Sequence, residues 1–140
     1  MYGGKNLNQN VSLRQNMQIS HQNSGNTVNV NQYLEKLSEC YELQNIHEVK
    51  DFIEKNLDLI PYINKITPLI NNCFSEYKKC LTFAHDPEFD DLSSLIIHVK
   101  SLESRLDEDF EKLINLEREF IALEGFSTQT KSLIILDLWL

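Results

Sequence analysis

The sequence has few of the residues and motifs that mark catalytic or disulfide-stabilised proteins. Its four glycines lie at positions 3, 4, 25 and 125, so no glycine-rich loop could hold a phosphate. The Gly-x-Ser-x-Gly motif of a nucleophilic serine is missing. The three cysteines are an odd number without Cys-x-x-Cys spacing, which argues against a disulfide framework and a zinc site. These absences disfavour an enzyme, and we expect no cofactor.

Long apolar runs are also missing. Nothing in the sequence approaches the roughly 18 consecutive apolar residues that span a bilayer. The polar N-terminus lacks the apolar core of a secretory signal peptide. We therefore expect a soluble cytoplasmic protein without membrane contact, in which Cys73 and Cys80 are reduced and buried.

Positive charge is scarce and unevenly distributed. The chain has 13 Lys and Arg against 21 Asp and Glu, a net charge of −8. Residues 1–32 contain Lys5 and Arg14 and no acidic residue, so residues 33–140 carry −10. Because an acidic surface repels phosphate backbones, nucleic acid is an unlikely partner for this part of the chain. A protein partner with basic patches is expected instead.

Residues 1–32 form a polar arm that contains eight Asn and five Gln. Such a composition buries too little apolar surface to offset the entropy of ordering, which predicts disorder. The alternative is a β-ribbon, since apolar residues alternate with polar ones on either side of a turn-forming segment. The four ribbon residues are candidate partner-binding residues, and they could also drive homo-oligomer formation by strand pairing: Met17, Ile19, Val28 and Val30.

Residues 33–140 are predicted to form a single compact α+β domain. A helical period of apolar residues begins at Tyr33 and indicates three helices up to about residue 70, with a kink or an early end at Pro68. A period of two then predicts strands over residues 77–85 and around residues 95–99, which form an antiparallel hairpin. Lys78 and Lys79 are expected to face water on an edge strand.

A long helix and a final strand complete the predicted domain. Ser104 can cap the start of the helix, and Gly125 is placed just beyond its end. The helix is expected to bury one stripe of side chains: Phe110, Leu113, Ile114, Glu117, Phe120 and Ile121. Residues 133–140 are almost continuously apolar, which predicts a strand buried on both faces. The fold class is therefore a small helix-covered sheet, with N-terminal helices, a hairpin, a long helix and a C-terminal strand.

Three segments resemble a group of small bacterial proteins of uncharacterised activity. They are DFIEKNLDLIPYI, HDPEFDD and LDEDFEKLINLEREF, within residues 49–140. The first is similar to a Phe-Leu-Glu-x-Asn-x-x-Leu-Ile-Pro pattern, and the second to Asp-Pro-Glu-x-Asp-Asp. The chain departs from the group where Glu119-Phe120-Ile121 replaces a Trp-Trp-like end of the long helix. The resemblance implies the same α+β fold and transfers no functional site.

The loop between the hairpin strands is the densest cluster of charged residues. Four carboxylates in it could bind Mg²⁺, Mn²⁺ or Ca²⁺ in a metal-dependent hydrolase: Asp86, Glu88, Asp90 and Asp91. A solvated turn whose acids accept hydrogen bonds from backbone N–H groups explains the same residues, and so does an acidic loop that docks a protein. His85 and His98 could form a two-histidine site if they face the same side of the hairpin.

The leading functional hypothesis is a non-enzymatic protein-interaction or regulatory module of the antitoxin, inhibitor or adaptor type. Small size, an acidic domain and a separate arm motivate it. One alternative is a nucleic-acid-binding regulator that uses the weakly basic arm. The other is the metal-dependent hydrolase of the acidic loop.

Overall fold

The computed structural model describes residues 29–86, 88–89 and 92–140. The chain divides into two units, Met1–Val30 and Asn31–Leu140, and the second contains the whole sheet. Regular structure already begins at Val30, three residues before the predicted start of the domain. Met17, Ile19 and Val28 lie outside the described residues, as do the predicted disorder and ribbon of the arm.

The predicted α+β class is confirmed, because the described residues form five α-helices and four strands. In chain order they are α1 (Val30–Leu37), β1 (Glu42–Leu43), α2 (Ile46–Lys55), α3 (Leu59–Cys73), β2 (Lys79–His85), β3 (Ser93–Lys100), α4 (Leu106–Ala122), α5 (Thr128–Ser132) and β4 (Ile134–Trp139). A 3₁₀ turn at Glu103–Arg105 precedes α4. The short elements β1 and α5 were not predicted, since two residues of strand and five of helix carry almost no periodic signal.

The four strands form one sheet in the order β1-β2-β3-β4. The central pair is the predicted antiparallel hairpin, with Leu81 opposite Ile97. Both outer strands run parallel to their neighbours, β1 to β2 and β4 to β3. Parallel neighbours need a crossover, which α2 and α3 supply for the first pair and α4 and α5 for the second.

The helices pack against one face of the sheet, called here the inner face. Leu81, Leu95, Ile97 and Val99 on this face are fully buried. Phe52 of α2 packs against Phe83 of β2 on the same face, with the rings tilted by 55° and 5.5 Å between their centroids. The opposite face, called the outer face, carries the alternate residues of each strand.

Helix α3 continues through Pro68 to Cys73, so of the two predicted effects of this proline, a kink or an early end, the early end is wrong. Pro68 removes one backbone hydrogen bond, at a cost of about 3 kcal/mol in a helix interior. Ile66 and Ile70, on either side of it, are fully buried, whereas Pro68 itself is exposed. Burial of the apolar face therefore outweighs the local penalty of the proline.

The predicted start, end and buried stripe of α4 all need correction. Ser104 lies inside the 3₁₀ turn, and no side chain caps α4. The helix ends at Ala122, and Gly125 adopts its positive φ of 92° three residues later. The buried residues are Asp109, Leu113, Leu116 and Phe120, so the inward face is rotated from the predicted stripe. The apolar residues of α4 occupy two faces, and tertiary contacts decide which one is buried.

Strand β4 is buried on one face only, so the prediction of burial on both faces is wrong. Leu136 is buried, whereas Ile135, Trp139 and Leu140 are exposed. The reason is the strand's position at the end of the sheet, with helices on the inner face alone. The chain does not end inside its own core.

Two smaller predictions also change with the position of β2. Because β2 lies inside the sheet, Lys79 is buried on the inner face and donates from Nζ to the backbone oxygen of Tyr77 at 3.1 Å. Lys78 is exposed as predicted. Cys80 is buried, but Cys73 is only half-buried, and both thiols are free.

No helix among the described residues has the length and apolar character required to cross a bilayer.

Candidate protein-interaction surface

Strand β4 presents a free edge along its whole length. Within the described residues it pairs with β3 on one side and with no strand on the other. Leu95 N donates to Leu133 O at 2.8 Å, and Ser101 N donates to Trp139 O at 2.6 Å. Since backbone groups alternate in direction along a strand, odd-numbered residues of β4 bond to β3. The N–H and C=O groups of Ile134, Leu136 and Leu138 therefore point outward.

This edge lacks the devices that usually prevent strands from pairing. The strand contains no proline and no lysine, and Asp137 is its only charged residue. Ile135 and Trp139 are exposed on its outer face, and Trp139 keeps 49% of its accessible surface. Natural edge strands are normally short or carry lysine, proline or bulges, so this six-residue edge, which no strand of the described residues covers, is a candidate for pairing with another chain.

A second apolar feature runs along α4 next to this edge. Phe110, Ile114, Glu117 and Ile121 follow one another at spacings of four, three and four, which places them on one side of the helix. Phe110 is 53% exposed and Ile121 74% exposed. We call these four residues the α4 stripe. At 100° per residue it lies roughly 100° around the helix from the buried face.

The α4 stripe faces away from α3. Lys112 marks the side towards α3, because its Nζ lies 5.8 Å from the ring centroids of both Phe74 and Tyr77. The helical repeat places Lys112 roughly 170° from the stripe. Since α4 also contacts β4, its other side overlooks the free edge. The outward backbone of β4 and the α4 stripe together form what we call the edge surface.

The outer face of the sheet carries a row of polar residues that the sequence did not bring together. Glu42, Cys80, His98 and Asp137 are neighbours across four strands. His98 Nδ1 lies 3.4 Å from Asp137 Oδ2, and Lys78 Nζ lies 3.0 Å from Glu42 Oε1. Further along this face, Lys100 Nζ lies 5.7 Å from the Trp139 ring centroid. The cleft between these side chains measures only about 120 Å³.

Cysteine, histidine and aspartate in one row are residue types of nucleophilic catalysis, but this geometry does not favour it. Cys80 is 3% exposed, and burial raises the pKa of its thiol, with the Glu42 carboxylate adding to the rise. A nucleophilic cysteine needs a lowered pKa, because the thiolate is the reactive form. Nδ1 of His98 has no hydrogen-bond partner among the described residues, despite its closeness to Asp137.

The acidic loop is described only in part. Asp86 Oδ1 accepts a hydrogen bond from Glu88 N at 2.8 Å, the geometry of a turn stabilised by an aspartate side chain. Asp90 and Asp91 lie outside the described residues. In the part of the chain that is described, no three His, Cys, Asp or Glu side chains are grouped to hold a metal ion. The hydrolase hypothesis stays a prediction, as does nucleic-acid binding by the arm.

Two other predicted sites are corrected by the structure. Val30 is the first residue of α1 and its side chain is buried, so it is not an exposed residue of a ribbon strand. His85 pairs with Ser93 on the inner face, whereas His98 pairs with Cys80 on the outer face. The two histidines therefore cannot form a common site.

A buried carboxylate, Asp109, was missed by sequence reasoning. Its side chain accepts hydrogen bonds from the Tyr77 hydroxyl at 2.8 Å and the Ser101 hydroxyl at 2.6 Å. Burial alone would raise the pKa of Asp109, but these two hydrogen bonds, with Arg105 and Lys112 nearby, lower it. The position looked like a helix-dipole residue in the first turn, and only its spacing from Leu113 and Leu116 hinted at burial.

Comparisons with known proteins returned no relatives: no family model matches the chain, and no curated protein or solved structure matches it either. The similarity to a group of small bacterial proteins therefore stays a prediction, and the surfaces described above must carry the functional argument by themselves.

Proposed function

We propose that this chain is a non-enzymatic protein-interaction module of a regulatory or adaptor kind, acting in the cytoplasm through its edge surface. The observation that carries the proposal is the edge of β4, with which no strand of the described residues pairs, beside the exposed Phe110 and Ile121 of the α4 stripe. The outward backbone groups of β4 have no strand partner among the described residues, and the exposed side chains of Phe110 and Ile121 lie outside the core.

The two features support binding in different ways. Outward N–H and C=O groups at Ile134, Leu136 and Leu138 can pair with an extended strand of another chain. The apolar side chains of Phe110 and Ile121 add area whose burial contributes roughly 25 cal/mol per Å². Interfaces in which a partner adds a strand to an exposed sheet edge combine these two features, main-chain hydrogen bonds and an apolar contact beside them.

The other candidate surfaces support a function less well. The outer-face cleft of about 120 Å³ is smaller than the roughly 300–1,000 Å³ of typical small-molecule sites. Within it Lys78 forms an ion pair with Glu42, and the His98 ring lies 3.4 Å from the Asp137 carboxylate.

Affinity purification of the tagged full chain from its host tests the proposal. The double variant Phe110→Ser and Ile121→Ser changes two exposed side chains of the stripe. The matched control is Ile46→Ser, which changes an exposed isoleucine at the start of α2 and near the opposite edge of the sheet. We expect wild type and control to retain the same stoichiometric protein partner and the double variant to lose it. Equal retention by all three proteins would contradict the proposal.

A further inference from the structure

We propose that the edge surface is occupied by a second copy of this chain, through antiparallel pairing of β4 with β4 of that copy about a two-fold axis at Leu136. This inference rests on the proposed function and names its partner. Pairing of the two β4 strands forms a continuous eight-stranded sheet, with the helices of both copies on the same face.

The direction of the backbone groups selects the register. With the axis at Leu136, Leu136 faces its own copy and Ile134 faces Leu138 of the other chain. All three of these residues point their N–H and C=O groups outward, so about six hydrogen bonds can form. An axis at Ile135 pairs fewer outward groups, and an axis at Asp137 places two carboxylates opposite each other.

The α4 stripe fits the same axis. The stripe is symmetric about a point between Ile114 and Glu117, close to the middle of α4, and Leu136 is close to the middle of β4, which α4 contacts. A two-fold axis there brings the two α4 helices together in antiparallel orientation. Phe110 of one copy then approaches Ile121 of the other, and Ile114 of each copy lies opposite Glu117 of the other, near the axis. The apolar ends of the stripe are thus complementary, whereas the two Glu117 carboxylates oppose association.

The size of the edge surface suits a dimer of moderate stability. The strand is about 20 Å long and the helix about 25 Å long, and strand and helix layers are stacked about 10 Å apart. These dimensions give a patch on the order of 500 Å² per copy, against about 800 Å² for a standard interface. Repulsion between two domains of net charge −10 opposes association, so the affinity is expected to be micromolar rather than nanomolar.

Analytical ultracentrifugation of the full chain over a wide concentration range is the first measurement. Wild type and Ile46→Ser are expected to show a reversible monomer–dimer equilibrium. The Phe110→Ser and Ile121→Ser double variant is expected to stay monomeric, with a far-UV circular dichroism spectrum like that of wild type.

Cysteine pairing then tests the register. In a Cys40→Ser background, which removes the exposed native thiol, Ile135→Cys and Asp137→Cys are purified separately and oxidised alone or mixed. With the axis at Leu136, residue 135 of one copy lies opposite residue 137 of the other, with Cβ atoms about 5 Å apart. Only the mixture should form a disulfide-linked dimer, and Ile135→Cys linking to itself would overturn the register.

The two proposals can fail separately. Suppose that wild type is monomeric at every concentration, and that wild type captures a protein partner which the double variant does not. Pairing with a second copy is then overturned, and the proposed function stands. If wild type is monomeric and the stripe variants capture the same proteins as wild type, both are overturned.

Discussion

At the scale of single residues, Asp109 shows how a charged group becomes part of a core. It is 0% exposed, and its two hydroxyl partners come from different segments, Tyr77 before β2 and Ser101 after β3. Arg105 and Lys112 place positive charge nearby. The carboxylate thus joins the start of α4 to both strands of the hairpin, and a hydrogen bond to a charged group contributes more than a neutral one.

We expect Asp109→Asn to lower the free energy of unfolding at pH 7 by about 2 kcal/mol, because two charge-assisted hydrogen bonds are weakened. The folded state lowers the pKa of Asp109 below its unfolded value of 3.8, so its contribution is present above that pH and is lost as the pH falls further. Urea denaturation at pH 7 and pH 3 measures both effects. The difference between wild type and variant should shrink at pH 3, and an unchanged difference would show that ionisation is not involved.

Asn45 is a second residue whose role depends on local geometry. It precedes α2 with φ 53° and ψ 52°, a left-handed conformation that side chains other than Asn, Asp and Gly rarely adopt. Its Nδ2 donates to Thr82 Oγ1 at 3.0 Å, which ties the start of α2 to the sheet.

Substitution of Asn45 separates these two contributions. Asn45→Gly removes the hydrogen bond but tolerates the backbone conformation, whereas Asn45→Ala removes the bond and adds strain. We expect Asn45→Ala to be less stable than Asn45→Gly by about 1 kcal/mol in thermal or urea unfolding. If alanine is the more stable of the two, the left-handed conformation is not maintained in solution.

At the scale of elements, the end of α4 is stabilised by a residue of the next helix. Lys131 of α5 donates from Nζ to Ile121 O at 2.7 Å and to Leu123 O at 2.6 Å. These are carbonyls at the negative end of the α4 dipole, where no basic residue of α4 itself lies. The five-residue helix α5 therefore serves to position this lysine and to lead the chain into β4.

Lys131→Met should destabilise the domain by about 1 kcal/mol, since the apolar stem is kept while the charged donor is lost. Lys65→Met, at an exposed position of α3, serves as the control and should have almost no effect. Chemical denaturation of the three proteins measures the difference. Equal loss in both variants would mean that the two carbonyls are satisfied equally well by water.

Helices and strands with strong periodicity were predictable from the sequence, but the elements that pack against each of their faces were not. The hairpin followed from β-branched residues such as Ile96, Ile97 and Val99, and α3 from buried residues such as Ile63 and Ile66. The apolar run of residues 133–140 predicts a doubly buried strand, because composition cannot reveal that no strand of the described residues lies beyond β4. In α4 the helical spacing of Phe110 and Ile121 predicts that they are buried, but both are exposed, because the spacing does not show which face of the helix packs against the sheet.

At the scale of the whole molecule, the uneven charge makes ionic strength a probe of what the edge surface binds. Two copies whose residues 33–140 each carry −10 repel each other at low salt, and salt screens this repulsion. We expect the dimer dissociation constant to fall several-fold between 20 mM and 500 mM NaCl. Sedimentation equilibrium measures it, with temperature and protein concentration held fixed. A basic partner would show the opposite trend, so weaker association at high salt would argue against pairing of two copies.

The sequence by itself determined the class of fold, the acidic charge of the domain and the absence of catalytic motifs, because these depend on composition and on local periodicity. The candidate site was decided only by the tertiary structure. Residues as distant as Phe110 and Leu136 contribute to one surface because α4 crosses from β3 to β4 and leaves β4 at the end of the sheet. Whether a side chain is buried depends on which elements lie next to it in space. The periodicity of the sequence predicts burial only where an element packs against one other element.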